Sequence, residues 1–539
     1  MGRLASTAVA GVAAVLLLGS ASSQPNASSS WEPEPEPEAE GYTLLQSHTA
    51  DDSVCEHGSC AGTNKGFFSF YEFVQWTWDK RTHGTASYIS QSAATSKKMI
   101  DFPTVDGEKR VRWGVDNRTT LSPPPPPGSH RKASVRPSMR IHSKTEFDLG
   151  EDKPLRSLLV AIDLTHIPTG CGTWPAFWLD HVPKAGDPLW PHFGEIDIIE
   201  GTNAQDGCPP PTTGDADDNG CKVHTTLHTC GPASAATDGQ KGHKNQCKGS
   251  TQCTMKDVPA SNFTGQWAKA SGGNPSNNCD VDASGQYSNQ GCSVLGEQGS
   301  YGAAFNAAKG GLFVLEWSVK DEAGGHALDA PHIAAWFFPR SALPLPYFSG
   351  DKAPDTKDFP KPYAYFPLGD NCDPSHFKQE RIVFDTTLCG DDAGNKWVSS
   401  GCAAKHGTPG TEPVAECEAF VRSSPHEFSE AYWELNHVSV WGELTGVPFP
   451  SPAPAPKPPA ASSELRMVVI VVVAVLGACL VAACGWKCYN DRQPGYDRSG
   501  LKARLRDTGD WEPTSTYPER QEVAAAGEKA MRSSGSTSW

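Results

Sequence analysis

Three things are scarce in this chain of 539 residues, and each scarcity removes a class of protein. Long amphipathic stretches at helical spacing are few, which speaks against an assembly of helices. The globular part carries no basic stripe. With 46 Lys and Arg against 62 Asp and Glu, the net charge is −16, which argues against nucleic acid as a partner. No C-x-x-C pair is repeated, so the clustered cysteines lack the spacing of a zinc site. What the chain does hold is 52 Gly, 45 Pro and 16 Trp, the turn-rich and aromatic composition of a large β-protein. Short runs such as Ser157–Ile162 and Leu312–Trp317 read as strands in the core of a sandwich.

Both ends report on compartment. Arg3, the apolar run Val9 to Leu18 and the small residues Gly19 to Ser23 have the order of a secretory signal peptide, residues 1–23. An acidic Pro/Glu-rich segment, 24–40, follows. Of the 17 cysteines, those from Cys55 to Cys417 form an even set, which in a secreted domain implies disulfides whose pairing the sequence leaves open. Cys55 and Cys60 are close enough in sequence to be a local pair. Asn26-Ala-Ser28, Asn117-Arg-Thr119 and Asn262-Phe-Thr264 are glycan acceptor sequences. Beyond residue 445 the composition changes. Residues 446–466 are a Pro/Ala-rich linker, semi-rigid and extended. Met467 to Cys484 is an unbroken uncharged apolar run, and 467–486 is expected to be a single transmembrane helix. Arg492, Arg498, Lys502, Arg504 and Arg506 then place the C-terminal side in the cytoplasm. A removable lipid-anchor signal would end with its hydrophobic stretch, whereas a polar tail, 487–539, continues here and is expected to be disordered. The chain is therefore expected at the cell surface as a type I single-pass membrane protein with its globular part outside.

The most telling segment is Gly194-Glu195-Ile196-Asp197-Ile198-Ile199-Glu200. Side chains alternate faces along a strand, so Glu195 and Asp197 share a face while Ile196 and Ile198 turn into packing. Strict alternation would turn Glu200 the other way. Three acids can act together only if the strand carries one extra residue between Asp197 and Glu200, a β-bulge that reverses the phase of the pleat. Such acids repel one another and add nothing to stability, so the arrangement points to chemistry. Two carboxyl groups on one face are what glycosidic bond cleavage uses. One attacks the anomeric carbon, and the other protonates the departing oxygen and later activates water; a separation of roughly 5–5.5 Å gives retention of configuration. A carboxyl between two others can hold the proton balance and keep the acid's pKa raised. The competing readings are a solvated acidic edge strand, opposed by the three isoleucines, and a calcium loop, opposed by the lack of a flexible Gly-containing loop.

Glu195–Glu200, preceded by Cys171-Gly-Thr-Trp-Pro-Ala-Phe-Trp178, resembles glycoside hydrolase family 16, the endo-β-1,3(4)-glucanases called laminarinases. Two residues between Asp197 and Glu200 match the bulged form of the motif. Val223–Thr229, Tyr301–Asn306, Gly311–Trp317, Trp336–Arg340, Phe384–Gly390 and Ala431–Glu434 extend the resemblance in order over residues 41 to 443, closest to the fungal branch. It implies an all-β fold, a β-jelly-roll sandwich with a concave substrate cleft, in a catalytic domain spanning 41–445. It implies Glu195 as nucleophile, Asp197 as assisting carboxylate and Glu200 as general acid/base. Trp174 and Trp178 match aromatic positions near the cleavage point, and His228 matches a histidine that contacts substrate. Each of these three has a plain alternative, as a core aromatic or a hydrogen-bonded core histidine. Trp317 and Trp336 are left to packing or distant subsites. The resemblance also hints that Cys372 or Cys389 pairs within the C-terminal loops.

The chain departs from the family at insertions. One, between Glu200 and His224, carries Asp215-Ala-Asp-Asp-Asn-Gly220, the first half of an EF-hand loop. Its closing ligand would fall at Thr226, inside an expected strand, so a solvated acidic loop is the better reading. Pro123 to Pro127 reads as a short polyproline II spacer, and residues 231 to 295 add many Gly, Asn and Cys. Loops beside a cleft set which chains fit, so these insertions bear on substrate preference. The implied activity is retaining endo-hydrolysis of β-1,3-glucan, with mixed β-1,3-1,4-glucan as a further substrate. No metal or cofactor is required by that chemistry, and a structural calcium is left open. The expected partners are β-glucan and, through the C-terminal helix, a membrane; protein partners are unspecified. Two alternatives remain: a cell-wall transglycosylase that uses the same nucleophile, and a non-catalytic glucan-binding receptor.

Overall fold

A computed structural model describes residues 42–449 except 51–52, 57–58, 63–65, 78, 80, 123–133, 185, 205–220, 237–242, 346–353 and 408–411, and not the side chains of 53–56 and 59–62. The expected signal peptide, acidic segment, transmembrane helix and tail lie outside the described residues, as do the proline run and the Asp215–Gly220 loop. Among the described residues no helix is long and apolar enough to cross a membrane.

Two antiparallel sheets carry the fold. One has eight strands in the order Gln266–Trp267, Cys292–Leu295, His224–His228, Glu195–Glu200, Thr173–His181, Glu380–Leu388, Arg140–Ser143 and Tyr71–Phe73. The other has ten, with the long strands Leu155–His166 and Tyr432–Leu444 side by side at its middle. The two runs read as strands fall inside Leu155–His166 and Gly311–Ser318. Their apolar residues explain why: Leu158, Val160, Ile162, Phe313, Leu315 and Trp317 are all at most 1% exposed, as alternating β-branched and aromatic residues on a pleated inner face should be. From the eight-stranded sheet, Phe177, Leu179, Ile196, Ile199, Leu227, Ile382 and Phe384 join the same core. Burying a side chain of this size contributes about 1.5–3 kcal/mol, so each sheet's inner face is fixed and its alternate residues must face away. Trp317 and Trp336 both lie in this core, and the Trp336 indole donates to the Pro360 carbonyl at 2.7 Å; both therefore serve packing.

Helices are short; the longest among the described residues is Pro413–Ser423. It belongs to a satellite core around Trp397, Phe420 and two disulfides, Cys171–Cys402 and Cys389–Cys417. The second of these is the pairing within the C-terminal loops that the resemblance hinted at, whereas Cys372 reaches back to Cys253. Cys230–Cys247 and Cys279–Cys292 staple the insertion around 231–295. The backbones of Cys55 and Cys60 lie directly opposite one another across a hairpin.

Candidate active site

The acidic strand has the bulge that its spacing demanded. On the tryptophan strand, Trp178 lies opposite Asp197 and Phe177 opposite Ile199, so Ile198 is the extra residue. On the other side, Thr226 faces Asp197 and His224 faces Glu200, leaving Thr225 opposite both isoleucines; its hydroxyl donates to the Ile198 carbonyl at 3.0 Å. Ile198 remains buried, 1% exposed, and the phase reversal puts Glu195, Asp197 and Glu200 on the face turned away from the core. Glycines bracket the strand. Gly194 sits at φ +83°, and a Cβ there would overlap the Phe377 ring and the His376 carbonyl. After the strand, a Cβ on Gly201 would lie 2.5 Å from the Tyr301 ring.

Cross-strand register assembles the neighbours of the acids. Trp174, Trp178 and His228 all lie on this face. The Trp174 indole donates to Glu200 Oε1 at 2.7 Å. Trp178 packs against the Arg140 guanidinium, 4.8 Å from its ring, and Trp76 covers the same guanidinium at 5.1 Å. His228 stands opposite Glu195. Its Nδ1 lies 3.2 Å from Glu195 Oε1 and 3.1 Å from Asp197 Oδ2, ion-pair contacts not aligned as hydrogen bonds. Its Nε2 must donate, because its partner at 3.0 Å is the Asn289 carbonyl. The metal-ligating atoms of Glu195, Asp197 and His228 lie within 4.8 Å of one another, a set that could also hold an ion. Thr226, where an EF-hand loop would have closed, is buried in its strand beside Asp197.

Burial and charge sort the three acids. Burial works to raise the Glu195 pKa, but His228, Arg81 and the Trp190 indole outweigh it and hold this carboxyl below its usual value. Asp197 goes the other way: burial, then the charges of Glu195 and Glu200, push it well up. Glu200 is raised by burial and by Asp392, against His228 and the Trp174 hydrogen bond. Burial would keep His228 neutral, yet Asp197 and Glu195 push its pKa well above the ordinary histidine value. The three acids are thus pushed apart: Glu195 toward its anion, Asp197 and Glu200 toward their protonated forms, with His228 beside them pushed toward its cation. Two carboxyl groups pushed apart in this way can divide the work of nucleophile and acid.

Several residues of the face were not singled out from sequence. Asp180 lies opposite Glu195, 2.7 Å from Arg81 and 3.7 Å from Arg140. Alternation from Trp174 through Ala176 and Trp178 would have put it on this face. Arg140, 1% exposed, also reaches Asp385 at 3.2 Å and Asp79 at 3.5 Å, and nothing local in the sequence announces it. Asp385 is raised to about 7 by burial, countered by Arg140 and reinforced by Asp79, Glu200 and Glu195. A carboxyl with a raised folded pKa stabilises the fold fully below its unfolded value near 3.8, and that contribution is lost as pH rises through about 7. Native protein should therefore lose up to about 4 kcal/mol relative to Asp385→Asn between pH 4 and 8. Urea melts of both proteins at the two pH values measure this difference; a gap that does not change with pH would refute it.

A sandwich with acids sorted by charge on one open face defines a carboxyl-based glycosidase class of site. The XgeA-like catalytic domain of glycoside hydrolase family 16 matches residues 68–274 and 241–441, and the chain belongs to that family. It is 33% identical over 377 residues to a protein of Schizosaccharomyces pombe named a probable glycosidase, covering 70% of this chain and 66% of that protein. It is 32% identical over 371 residues to a probable endo-1,3(4)-β-glucanase of Aspergillus clavatus, covering 68% and 44%. The chain thus spans between two-fifths and two-thirds of the length of such curated relatives. Among solved structures, an elongating family 16 β-1,3-glucosyltransferase superposes with a TM-score of 0.51 at 30% identity, over 74% of this chain and all of that one. Laminarinase 16A of Phanerochaete chrysosporium, holding 6-O-glucosyl-laminaritriose in donor and acceptor sites, superposes at 0.50 with 29% identity, over 74% and 99%.

Proposed function

We propose that this protein is a retaining endo-glycosidase of β-1,3-glucan, acting also on mixed β-1,3-1,4 chains, displayed outside the cell on a C-terminal membrane anchor. The observation that carries the reading is the bulge at Ile198, which turns Glu200 onto the face of Glu195 and Asp197. Glu195, held ionised, attacks the anomeric carbon as Glu200 gives its proton to the departing oxygen; the glycosidic bond breaks and a glycosyl ester forms on Glu195. Glu200 then takes a proton from water, whose oxygen attacks the same carbon and releases Glu195. Asp197, pushed toward its protonated form and set beside Glu195 by their shared contact with His228, keeps the local charge low. The flat indoles of Trp174 and Trp178 support a sugar ring at the bond to be broken. The sequence requires no cofactor, and a calcium away from the acids is compatible with it.

The likeness to an elongating glucosyltransferase favours one second reading, in which a glucan hydroxyl replaces water in the second step. One experiment separates the two. The full chain in detergent is given laminarin or a laminari-oligosaccharide, and early products are sized and their anomeric configuration followed by NMR. Hydrolysis yields shorter β-configured products; transfer yields chains longer than the starting oligosaccharide. Unchanged chain length with retained laminarin binding would overturn both and leave the receptor.

A further inference from the structure

The sheet that carries the acids continues past the tryptophan strand, through Glu380–Leu388, to Arg140–Ser143 and Tyr71–Phe73 at its edge. Trp76 lies in the connection from Tyr71–Phe73 to Ala86–Tyr88. Its side chain is 42% exposed, whereas Arg140 against it is 1% exposed. The Arg140 guanidinium lies over the Trp76 ring at 5.1 Å and over the Trp178 ring at 4.8 Å. One buried cation therefore holds two indoles as neighbours. Trp178 stands opposite Asp197, and Trp76 lies further out on the same face.

The outer indole is mounted rigidly. The Val74 N–H donates to the Arg140 carbonyl at 3.0 Å, and the Tyr88 N–H donates to the Trp76 carbonyl at 2.7 Å. The backbone on either side of Trp76 is thus tied to strands. Asp79, buried, accepts from the Arg81 N–H at 2.9 Å and lies 3.5 Å from Arg140 Nη1. Arg81 Nη1 donates to Asp180 at 2.7 Å, and Asp180 faces Glu195. One short connection accordingly runs from Trp76 to a neighbour of the acids. Shielding Arg140 would need only apolar bulk, and Trp178, Asp79, Asp180 and Asp385 already surround it. A flat ring, fixed in place and open to solvent, has its ordering cost taken up in folding and can receive a ligand without paying it again.

We propose that Trp76 is a binding platform for a glucose residue of the β-glucan chain, one further from the bond to be broken than the ring supported by Trp174 and Trp178. This rests on the reading of the acids as a β-glucan-cleaving site. The C–H faces of a glucopyranose fit a flat indole, and covering the open side of Trp76 removes apolar surface from water. Contacts remote from the reacting bond act only on substrates long enough to make them. Trp76 therefore gives the enzyme a preference for long chains and does nothing for the shortest.

The test is Trp76→Leu in the full chain, which keeps apolar cover over Arg140 and removes the flat face. kcat/KM is measured on laminari-oligosaccharides of increasing length and on laminarin. Native kcat/KM should climb with chain length. Trp76→Leu should equal it on the shortest oligosaccharide cleaved and fall about tenfold behind on laminarin, with a native-like melting temperature. Trp76→Tyr, which restores a flat ring, should recover most of the difference, and Trp76→Met replaces Trp76→Leu if the latter fails to fold. An equal loss at every length, or no loss at any, would overturn the proposal, as would a Trp76→Tyr variant no better than Trp76→Leu. If the native chain leaves all of these glucans intact, the parent reading fails instead, and the native control tells the two failures apart.

Discussion

Replacing Glu195 by Gln is expected to lower kcat/KM on laminarin by about 10⁴-fold or more, because the proposed mechanism gives the nucleophile's part to Glu195 alone. The exchange is nearly isosteric, so the pleat, the bulge and the contact with His228 persist. What disappears is the charge that Arg81, His228 and Trp190 are arranged to hold. That charge also helps to push Asp197 well above the carboxylate range. Its loss should therefore let Asp197 ionise at lower pH and pair with His228 in its stead. The fold is expected to remain intact by circular dichroism. Initial rates on laminarin, with laminarin binding by the same sample as a check, decide the matter. A variant within tenfold of native activity would remove Glu195 from the role of nucleophile.

Replacing Glu200 by Gln should produce a different pattern, and the difference is its value. Cleavage of glucan needs a proton on a poor leaving oxygen, and Glu200 is the raised carboxyl that retains one. Turnover of laminarin should fall by about 10³-fold or more, within the range that positioned general acids contribute together with loss of base assistance. A laminaribioside with a dinitrophenyl leaving group needs no proton to depart. On that substrate the first step should stay close to the native rate, and a burst of dinitrophenol should be followed by slow turnover as the glycosyl ester waits for an activated water. Trp174 loses its acceptor charge but can still donate to the amide oxygen at the same place. Equal losses on both substrates would mean that Glu200 acts in some way other than proton donation.

The acidic face was legible where chemistry and periodicity coincide in one segment. Six residues from Glu195 to Glu200 contain the acids, the apolar spacing and the one-residue phase error that forces a bulge, so strand, face and extra residue could all be deduced from them. Trp174, Trp178 and His228 came from the resemblance, and the register then set each beside an acid. Asp180 falls on the same face by the same alternation, opposite Glu195. Arg140 and Asp385 had no such signal, because what brings them to the site is the lateral order of strands far apart in sequence. The disulfide pattern was illegible for the same reason: Cys171 meets Cys402 across 231 residues, a contact that only the closed sandwich creates.

The sorted protonation of the acidic strand has an accounting consequence for the proposed reaction. Among the three acids of this strand and the imidazole beside them, only Glu195 is held toward its anion, facing His228, which is held toward its cation. When the glycosyl ester forms, the anion at Glu195 vanishes and one appears at Glu200, on the far side of the bulge. No net charge is created or destroyed in the site in either step; one negative charge is handed along a strand by five residues and then handed back. A neutral glucan can therefore enter, react and leave without the protein having to resolvate its interior, and the fixed dipoles around the acids need only serve two addresses for the same charge.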